Sequence, residues 1–286
     1  MKQFSSILVL LFATTGGAVN VLALANSKAN TKAILLEIAD TGQEPRRPES
    51  GWCGEAAIQM ALSYYGAYAS QQAINRAGKP VHADLYEEDI PRAMTNVGLG
   101  SSAWNGDGLD AFLTWIRSQL AAGHPVLLGA KIYPTAHPEW AVDHFVLAVG
   151  YTGDALTYNT TWGRQETRTF ALLSTKDKGL SFANRSGTYF GYAITGMKME
   201  STQAVKPTRV TISRDGDKQV KLCVNIEKLE QGRRYRLLKF TGLAAADRSD
   251  AKGTVLQSFV ADGPRAAYNE TIRIDDARVY RCLPSP

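Results

Sequence analysis

The sequence predicts an α+β domain followed by a small all-β domain. Four helix patterns come first, within residues 52–123, and strand-like runs follow them from residue 124 onward. Helices and strands segregated along a chain in this way favour an arrangement in which the helical part packs on an antiparallel sheet. After about residue 202 the chain contains only short strand-like runs between turns, which is typical of a β-sandwich.

The composition is that of an ordinary globular protein. The chain has 286 residues, of which 44% are hydrophobic and 21% charged, and its formal net charge is +5. The basic residues are scattered and lack the clustering with aromatics that a nucleic-acid surface needs, so no nucleic-acid partner is predicted. The acidic stretch around Glu87 and Glu88 has one nearby histidine, His82, and no spaced second ligand, so no metal or cofactor is expected.

The first 25 residues are predicted to be a signal peptide. Lys2 precedes an apolar run, and "ALA" at residues 23–25 is a small-x-small cleavage signal before Asn26. An uncleaved anchor helix is the alternative, because the run is nearly long enough to span a bilayer. No later segment approaches that length, so we expect a secreted or periplasmic protein with no integral membrane segment after cleavage. Residues 26–42 are a candidate pro-segment.

The first helix is predicted over "WCGEAAIQMALSYYG", residues 52–66. Its apolar residues recur at helical spacing, and Gly66 is a natural end. Three further helices are predicted over residues 70–78, 89–98 and 109–123, with Ser70 and Asp89 as N-caps of the first two.

The strands come next. "HPVLLGAKIY", residues 124–133, is a short continuous apolar run that indicates a buried strand. Residues 144–151 and 155–163 read as two strands joined by the turn "TGD". Two more strands are predicted at residues 169–174 and 188–199, and residues 33–39 are a short strand or the start of a helix.

A domain boundary is predicted near residue 202. It separates a first domain, residues 26–202, from a β-sandwich-like accessory domain, residues 203–286. Six strand-like runs support the second domain, at residues 209–213, 219–226, 235–242, 254–261, 270–275 and 277–283.

The cysteine count suggests a reactive thiol. The chain has three cysteines, and an exported protein meets an oxidising compartment. Cys223 and Cys282 both lie in the C-terminal part, so we predict a disulfide between them. Cys53 is then left over, and an odd cysteine in a secreted chain indicates either a reactive thiol or an intermolecular bond.

Cys53 and His144 are the candidates for chemistry. Cys53 begins a predicted helix, whose N-terminus stabilises a thiolate through its free N–H groups and its dipole. Of the four histidines, His144 is the one that opens an apolar strand, in the half of the domain that would pack against the cysteine helix. The other three lie in predicted loops or after a helix end.

These stretches resemble a known family. "GWCGEAAIQMALSYYG", "GHPVLLGAKI" and "DHFVLAVGYTGDALTYNTTWG" together resemble the C39-like branch of the papain-type cysteine peptidases, over residues 43–163. The resemblance implies a papain-like cysteine-peptidase fold and a peptide or protein substrate. It also implies Cys53 as nucleophile and His144 as general base and acid.

The resemblance places the residue that orients the histidine sixteen residues after it, as Asp or Asn. That position holds Thr160, and Asn159 comes one residue earlier. A one-residue slip along a strand turns the side chain to the other face. Either a bulge or shorter turn brings Asn159 to His144, or Thr160 bonds the ring, or a dyad works alone. Asp143 should point away.

The oxyanion donor also departs from the family pattern, in which a Gln lies closer to the cysteine. Gln43, ten residues before Cys53, is the nearest upstream candidate. Three functions remain open at this point. The first is a secreted cysteine peptidase, the second an amidase or transglutaminase-like acyltransferase, and the third a catalytically inactive C39-like domain that serves as a binding protein.

Overall fold

The computed structural model describes residues 33–44, 51–133, 135–136, 140, 142–173, 181–182, 189–198, 207–216, 218–241 and 253–285. The predicted signal peptide and its alternative, an anchor helix, lie outside the described residues. Lys32–Pro286 form one compact unit. Among the residues described, no helix is both long and apolar enough to cross a membrane.

The four predicted helices are all present. They are α1 (Cys53–Tyr64), α2 (Gln71–Gly78), α3 (Ile90–Asn96) and α4 (Leu109–Ala121). Ser70 caps α2 as predicted, because its hydroxyl accepts a hydrogen bond from the Ala73 N–H.

The main sheet has seven antiparallel strands. They are β1 (Ile34–Leu35), β3 (Leu99–Ala103), β4 (Val126–Ala130), β5 (His144–Thr152), β6 (Ala155–Asn159), β7 (Gln165–Thr169) and β8 (Gly191–Met197). The order is β3-β8-β4-β5-β6-β7, and β1 pairs with β5 beyond the end of β4. The helices and this antiparallel sheet give the expected α+β arrangement.

One predicted strand is wrong. Residues 169–174 were expected to be extended, but Thr169 ends β7 and Phe170–Leu173 form the short helix α5. Phe170 and Leu173 are buried while the two residues between them are exposed. That spacing of three is typical of a helix, whereas the side chains of a strand alternate between its two faces.

The C-terminal strands form two further antiparallel sheets. Their strands are β2 (Ala67–Tyr68), β9 (Thr208–Asp215), β10 (Gln219–Glu227), β11 (Arg234–Thr241), β12 (Thr254–Val260), β13 (Arg265–Arg273) and β14 (Arg278–Pro284). One sheet has the order β13-β10-β9 and the other β12-β11-β14-β2. One buried apolar cluster lies around α1 and the main sheet, and residues of these two further sheets form a second buried apolar cluster. Because β2 pairs with β14, the division near residue 202 stays a prediction.

The predicted disulfide is contradicted, since Cys223 and Cys282 are free thiols. Cys223 lies on β10, where its neighbours Leu222 and Val224 point into the second cluster and Cys223 does not. Cys282 lies on β14 of the other sheet and is buried within that cluster. Successive residues of a strand face opposite sides of the sheet, so the two thiols do not meet.

Helix α1 lies at the centre of the fold. Every residue from Cys53 to Ser63 is buried, and the helix packs against β5, α2, β2 and β9. A helix surrounded on all sides in this way is mostly apolar, as "AAIQMAL" is, and its buried Gln59 donates to the Ala69 carbonyl at 2.8 Å. This burial fixes the position of the first residue of α1, Cys53, against the start of β5.

Candidate functional site

The N-terminus of α1 places Cys53 beside β5. Trp52 is the N-cap residue and makes no side-chain cap, while its indole N–H donates to the Ala83 carbonyl at 3.0 Å. Position 54 has little spare space, because a Cβ there would lie 2.8 Å from Ile90 Cδ1 and 3.4 Å from the Phe145 ring. The glycine after Cys53 therefore allows close packing of the helix start against α3 and the start of β5.

The thiol of Cys53 is buried. The residue is 7% exposed, and its Sγ accepts a hydrogen bond from the Phe145 N–H at 3.4 Å. Burial raises the pKa of the thiol to about 12, and the Phe145 and Gly54 N–H groups only partly oppose this. The helix N-terminus alone therefore does not give the low thiol pKa that its position suggested.

His144 is the first residue of β5 and is 4% exposed. Its Nε2 lies 2.9 Å from the Thr160 carbonyl oxygen. A carbonyl oxygen only accepts, so Nε2 carries the proton and Nδ1 keeps the lone pair that can act as a base. Burial lowers the pKa of the ring, and the Thr160 carbonyl, Asp143 and Asp40 act in the opposite direction.

Trp162 covers the imidazole ring. The two rings are stacked, with centroids 4.5 Å apart and planes 21° from parallel. The Arg164 guanidinium lies 5.7 Å from the centre of the Trp162 ring. The aromatic face stabilises an imidazolium that forms during a reaction.

Cys53 and His144 line one cavity of about 240 Å³, together with Leu85, Tyr86, Trp140, Val142, Phe145 and several carboxylates. Three of these carboxylates, Asp84, Glu87 and Glu88, come from the segment before α3, and burial raises the pKa of Asp84 and Glu87. In the described part of the chain, no group of three or more His, Cys, Asp or Glu side chains could hold a metal ion.

Asn159 does not orient the ring, contrary to one of the sequence predictions. Its amide nitrogen donates to the Ile38 carbonyl at 2.9 Å, and its amide oxygen accepts from Gln165 at 3.0 Å. The amide also contacts the Met60 sulfur, so the side chain points toward α1. The strand turns this side chain to the helix face, and there is no bulge at Asn159 to bring it back.

Thr160 bonds the ring, but through its backbone. The carbonyl of Thr160 accepts from His144, while its hydroxyl donates to the Arg164 carbonyl at 2.8 Å. Sequence reasoning considered the side chain at this position. Every residue has a backbone carbonyl, so the residue type at a position does not show whether its carbonyl orients a histidine.

Asp40 was missed by sequence reasoning. One of its carboxylate oxygens, Oδ2, accepts from the Thr161 N–H at 2.8 Å, and the other, Oδ1, accepts from the Gly42 N–H at 2.9 Å. A single aspartate in an irregular stretch carries no motif that would have singled it out.

Gln43 lies at the edge of the site. Its amide nitrogen donates to the Thr161 hydroxyl at 3.2 Å, and this hydroxyl lies 3.4 Å from His144 Nε2. Its amide oxygen lies 3.9 Å from where a Cβ on Gly51 would stand, two residues before the cysteine. The role of Gln43 as oxyanion donor stays a prediction.

The Asp143 carboxylate makes its contacts with the segment after β4 and not with the His144 ring. Its carboxylate forms an ion pair with Lys131 at 3.2 Å and accepts the N–H groups of Ile132 and Tyr133. These contacts fold the segment after β4 back onto the start of β5. The carboxylate therefore affects the His144 ring through its charge and not through a hydrogen bond.

We expect Cys53 to be alkylated slowly at neutral pH. Since burial raises the thiol pKa and lowers that of His144, the resting pair is neutral, and the iodoacetamide rate should rise with pH without a plateau below pH 8.5. The measurement uses the Cys223→Ala/Cys282→Ala background, in which Cys53 is the remaining thiol. A plateau between pH 5 and 8 that disappears in His144→Ala would instead indicate a preformed thiolate–imidazolium pair.

Comparison with known proteins identifies the family. The model of the Peptidase C39 like family matches residues 35–178, just over half of the chain. Among solved structures, the peptidase domain of Streptococcus ComA, a bifunctional ABC transporter involved in a quorum sensing pathway, is 11% identical with a TM-score of 0.40. That match covers 55% of this chain and 96% of the ComA domain, and is too distant to bear on the site. No curated protein matches the chain. The chain belongs to the C39-like peptidase family.

Proposed function

We propose that this protein is a secreted or periplasmic cysteine peptidase that cleaves peptide bonds with Cys53 as nucleophile and His144 as general base and acid. The observation that carries the proposal is the shared cavity. Cys53 and His144 line the same space of about 240 Å³, and the Thr160 carbonyl holds the ring in the tautomer whose Nδ1 can accept a proton. Family membership supports the same chemistry.

The reaction starts from a neutral thiol and a neutral imidazole. As Sγ attacks the scissile carbonyl carbon, the thiol proton passes to His144 Nδ1 and the carbonyl π electrons move onto oxygen. The tetrahedral intermediate collapses, the C–N bond breaks, and the leaving amine takes the proton from Nδ1. Water then attacks the thioester while His144 accepts its proton, and this proton returns to sulfur as the acid is released.

Two groups can stabilise the oxyanion. The backbone N–H of Cys53 lies at the start of α1, where the helix leaves its first N–H groups without intrahelical partners. The Gln43 amide lies beside Gly51 and supplies the second donor. Its N–H group donates to the Thr161 hydroxyl in the free protein and would donate to the substrate oxygen instead when substrate binds. Donors aimed at a developing negative charge are commonly the largest contribution to acyl-transfer catalysis.

The extracytoplasmic location is supported by the N-terminal sequence. Lys2, the apolar run and the "ALA" at residues 23–25 match the parts of a signal peptide. Recovery of a chain beginning at Asn26 from culture medium or periplasm, by N-terminal sequencing, would verify this part of the proposal. A cell-associated chain beginning at Met1 would contradict it.

The test of the activity is a peptide-library digestion analysed by mass spectrometry. We expect the purified protein to generate discrete cleavage products, and Cys53→Ala to generate none. Cys223→Ala, which removes a thiol on the outward face of β10, serves as the matched control and should cleave like the parent. Release of ammonia from glutamine side chains without backbone cleavage would support the hypothesis of an amidase or transglutaminase-like acyltransferase. Binding of peptides without cleavage would support the hypothesis of a catalytically inactive binding protein.

A further inference from the structure

The peptide group between Thr160 and Thr161 has two partners. Its carbonyl oxygen accepts from His144 Nε2 at 2.9 Å, and its N–H donates to Asp40 Oδ2 at 2.8 Å. A carboxylate, one peptide unit and the imidazole are therefore connected in a single chain of hydrogen bonds. A charged acceptor on the N–H polarises the peptide, which makes its carbonyl a stronger acceptor for the ring.

The backbone at this point adopts a conformation that needs support. Thr161 has φ +69°, in the left-handed region that β-branched residues rarely occupy. The Thr160 hydroxyl donates to the Arg164 carbonyl at 2.8 Å, and its oxygen lies 3.3 Å from Asp40 Oδ2. The Asp40 carboxylate thus lies against both residues that flank the oriented peptide group and accepts from the N–H of Thr161. Backbone held in such a conformation is commonly found at functional sites.

The loop that carries Asp40 is fitted closely to the turn at residues 160–163. A Cβ on Gly42, which has φ +69°, would lie 3.4 Å from the Gly163 nitrogen. Gln43 adds a third link through the Thr161 hydroxyl. Close packing between two loops that are about 120 residues apart in the sequence therefore places the Asp40 carboxylate beside the Thr161 N–H.

We propose that Asp40 is the positioning residue for His144, holding the ring through the Thr160–Thr161 peptide in place of the Asp or Asn expected at position 160. This inference rests on the proposed function, since it assigns Asp40 a role in that same site. The carboxylate does not touch the ring or the substrate. It acts by fixing the direction and strength of the carbonyl that keeps the proton on Nε2 and the lone pair on Nδ1.

Other charged groups also face the ring. Asp143 lies beside it and is paired with Lys131, and the Arg164 guanidinium lies 5.7 Å from the centre of the Trp162 ring that stacks on it. A change in charge alone at Asp40 would be expected to move the ring pKa in the same direction for any substitution. A positioning role requires in addition that the tautomer depend on an oxygen acceptor at residue 40.

The test compares Asp40→Ala with Asp40→Asn by ¹⁵N NMR of histidine-labelled protein. The His144 signals are assigned by their absence in His144→Ala. In the parent we expect the Nε2–H tautomer at pH 7.5. Asp40→Ala should give a mixture of both tautomers, whereas Asp40→Asn, which keeps an oxygen for the Thr161 N–H, should retain Nε2–H. The ring pKa should fall in both variants, because both remove the negative charge.

Kinetics provide a second measurement. We expect kcat to fall about 10- to 100-fold in Asp40→Ala with little change in KM, and less in Asp40→Asn. Asp154→Ala, an exposed aspartate in the turn between β5 and β6, is the control and should leave both the spectrum and kcat unchanged. Near-UV circular dichroism checks that each variant is folded.

The NMR result decides the inference whether or not any peptide is cleaved. An unchanged His144 tautomer in folded Asp40→Ala would overturn it, even if the peptidase proposal stands. An equal effect of Asp154→Ala would also overturn it. If Asp40→Ala does not fold, Asp40→Leu, which also lacks an acceptor for the Thr161 N–H, takes its place: a mixture of His144 tautomers would support the inference, and an unchanged Nε2–H tautomer would overturn it.

Discussion

Replacement of His144 by glutamine is expected to lower kcat/KM for peptide cleavage by about 10²- to 10⁴-fold, the usual contribution of a general base and acid. The Gln Nε2 can still donate to the Thr160 carbonyl, 2.9 Å from the imidazole nitrogen it replaces. The amide has no basic nitrogen in place of Nδ1, so the thiol proton has no acceptor. The variant therefore removes proton transfer and keeps the contact that organises the turn.

The measurement is the initial rate on the best substrate from the peptide library, over a range of substrate concentrations. His124→Gln is the matched control, because His124 follows α4, contacts Gln119 at 3.3 Å, and is absent from the lining of the cavity. We expect the control to retain the parent rate. A His144→Gln variant with more than a tenth of the parent kcat/KM would show that another group takes the thiol proton.

The second large effect is expected at Glu55, which is 0% exposed within α1. Its Oε1 accepts from Asn75 at 2.7 Å and from the Leu85 N–H at 3.0 Å, and in the described part of the chain its Oε2 has no partner. Burial raises its pKa from 4.5 to about 7. A buried carboxylate with an unmatched oxygen opposes folding whenever it is ionised.

The sign of the pH dependence follows from linkage. Between pH 4.5 and about 7, the folded protein holds the Glu55 proton and the unfolded chain releases it. The contribution of this group to the free energy of unfolding therefore falls as pH rises, by about 3 kcal/mol in total, and the loss is complete above pH 7. In Glu55→Gln this pH dependence is absent.

Urea unfolding of the parent and Glu55→Gln at pH 4.5 and pH 8 tests this. The difference in unfolding free energy between variant and parent should shift by about 3 kcal/mol in favour of the variant from the lower to the higher pH. Any effect of the amide group on the free energy of unfolding that does not depend on pH cancels when the two pH values are compared. Glu88→Gln, at an exposed carboxyl, should change stability by less than about 0.5 kcal/mol at either pH. A pH-independent difference for Glu55→Gln would mean that Glu55 is already ionised at low pH.

Local sequence patterns predicted most of the secondary structure. The helix that starts at Cys53 and the strand that starts at His144 were expected where they occur, because each depends on short-range periodicity and on the residues at its ends. Failures occurred where periodicity was ambiguous or weak. Phe170–Leu173 was read as a strand, and β3 was not predicted because its "LGSSA" is short and polar.

Contacts between distant segments were not predictable in the same way. Cys223 and Cys282 were paired because both lie in the C-terminal part, yet strand alternation places them on different faces of different sheets. Asn159 was one of the residues expected to orient the ring, yet β6 turns its amide toward Met60. Side-chain direction in a sheet depends on register and twist, which a single strand sequence does not define.

The sequence alone determined the helix and strand that carry the two candidate catalytic side chains, and the residue types themselves, Cys53 and His144. The groups that hold the imidazole and surround the thiol are brought together by contacts between distant segments. The ring is oriented by a backbone carbonyl, which every residue possesses, and that peptide group is held by Asp40 from 121 residues away. The thiol and Glu55 owe their raised pKa values to burial, a property of the packed assembly that no local pattern encodes.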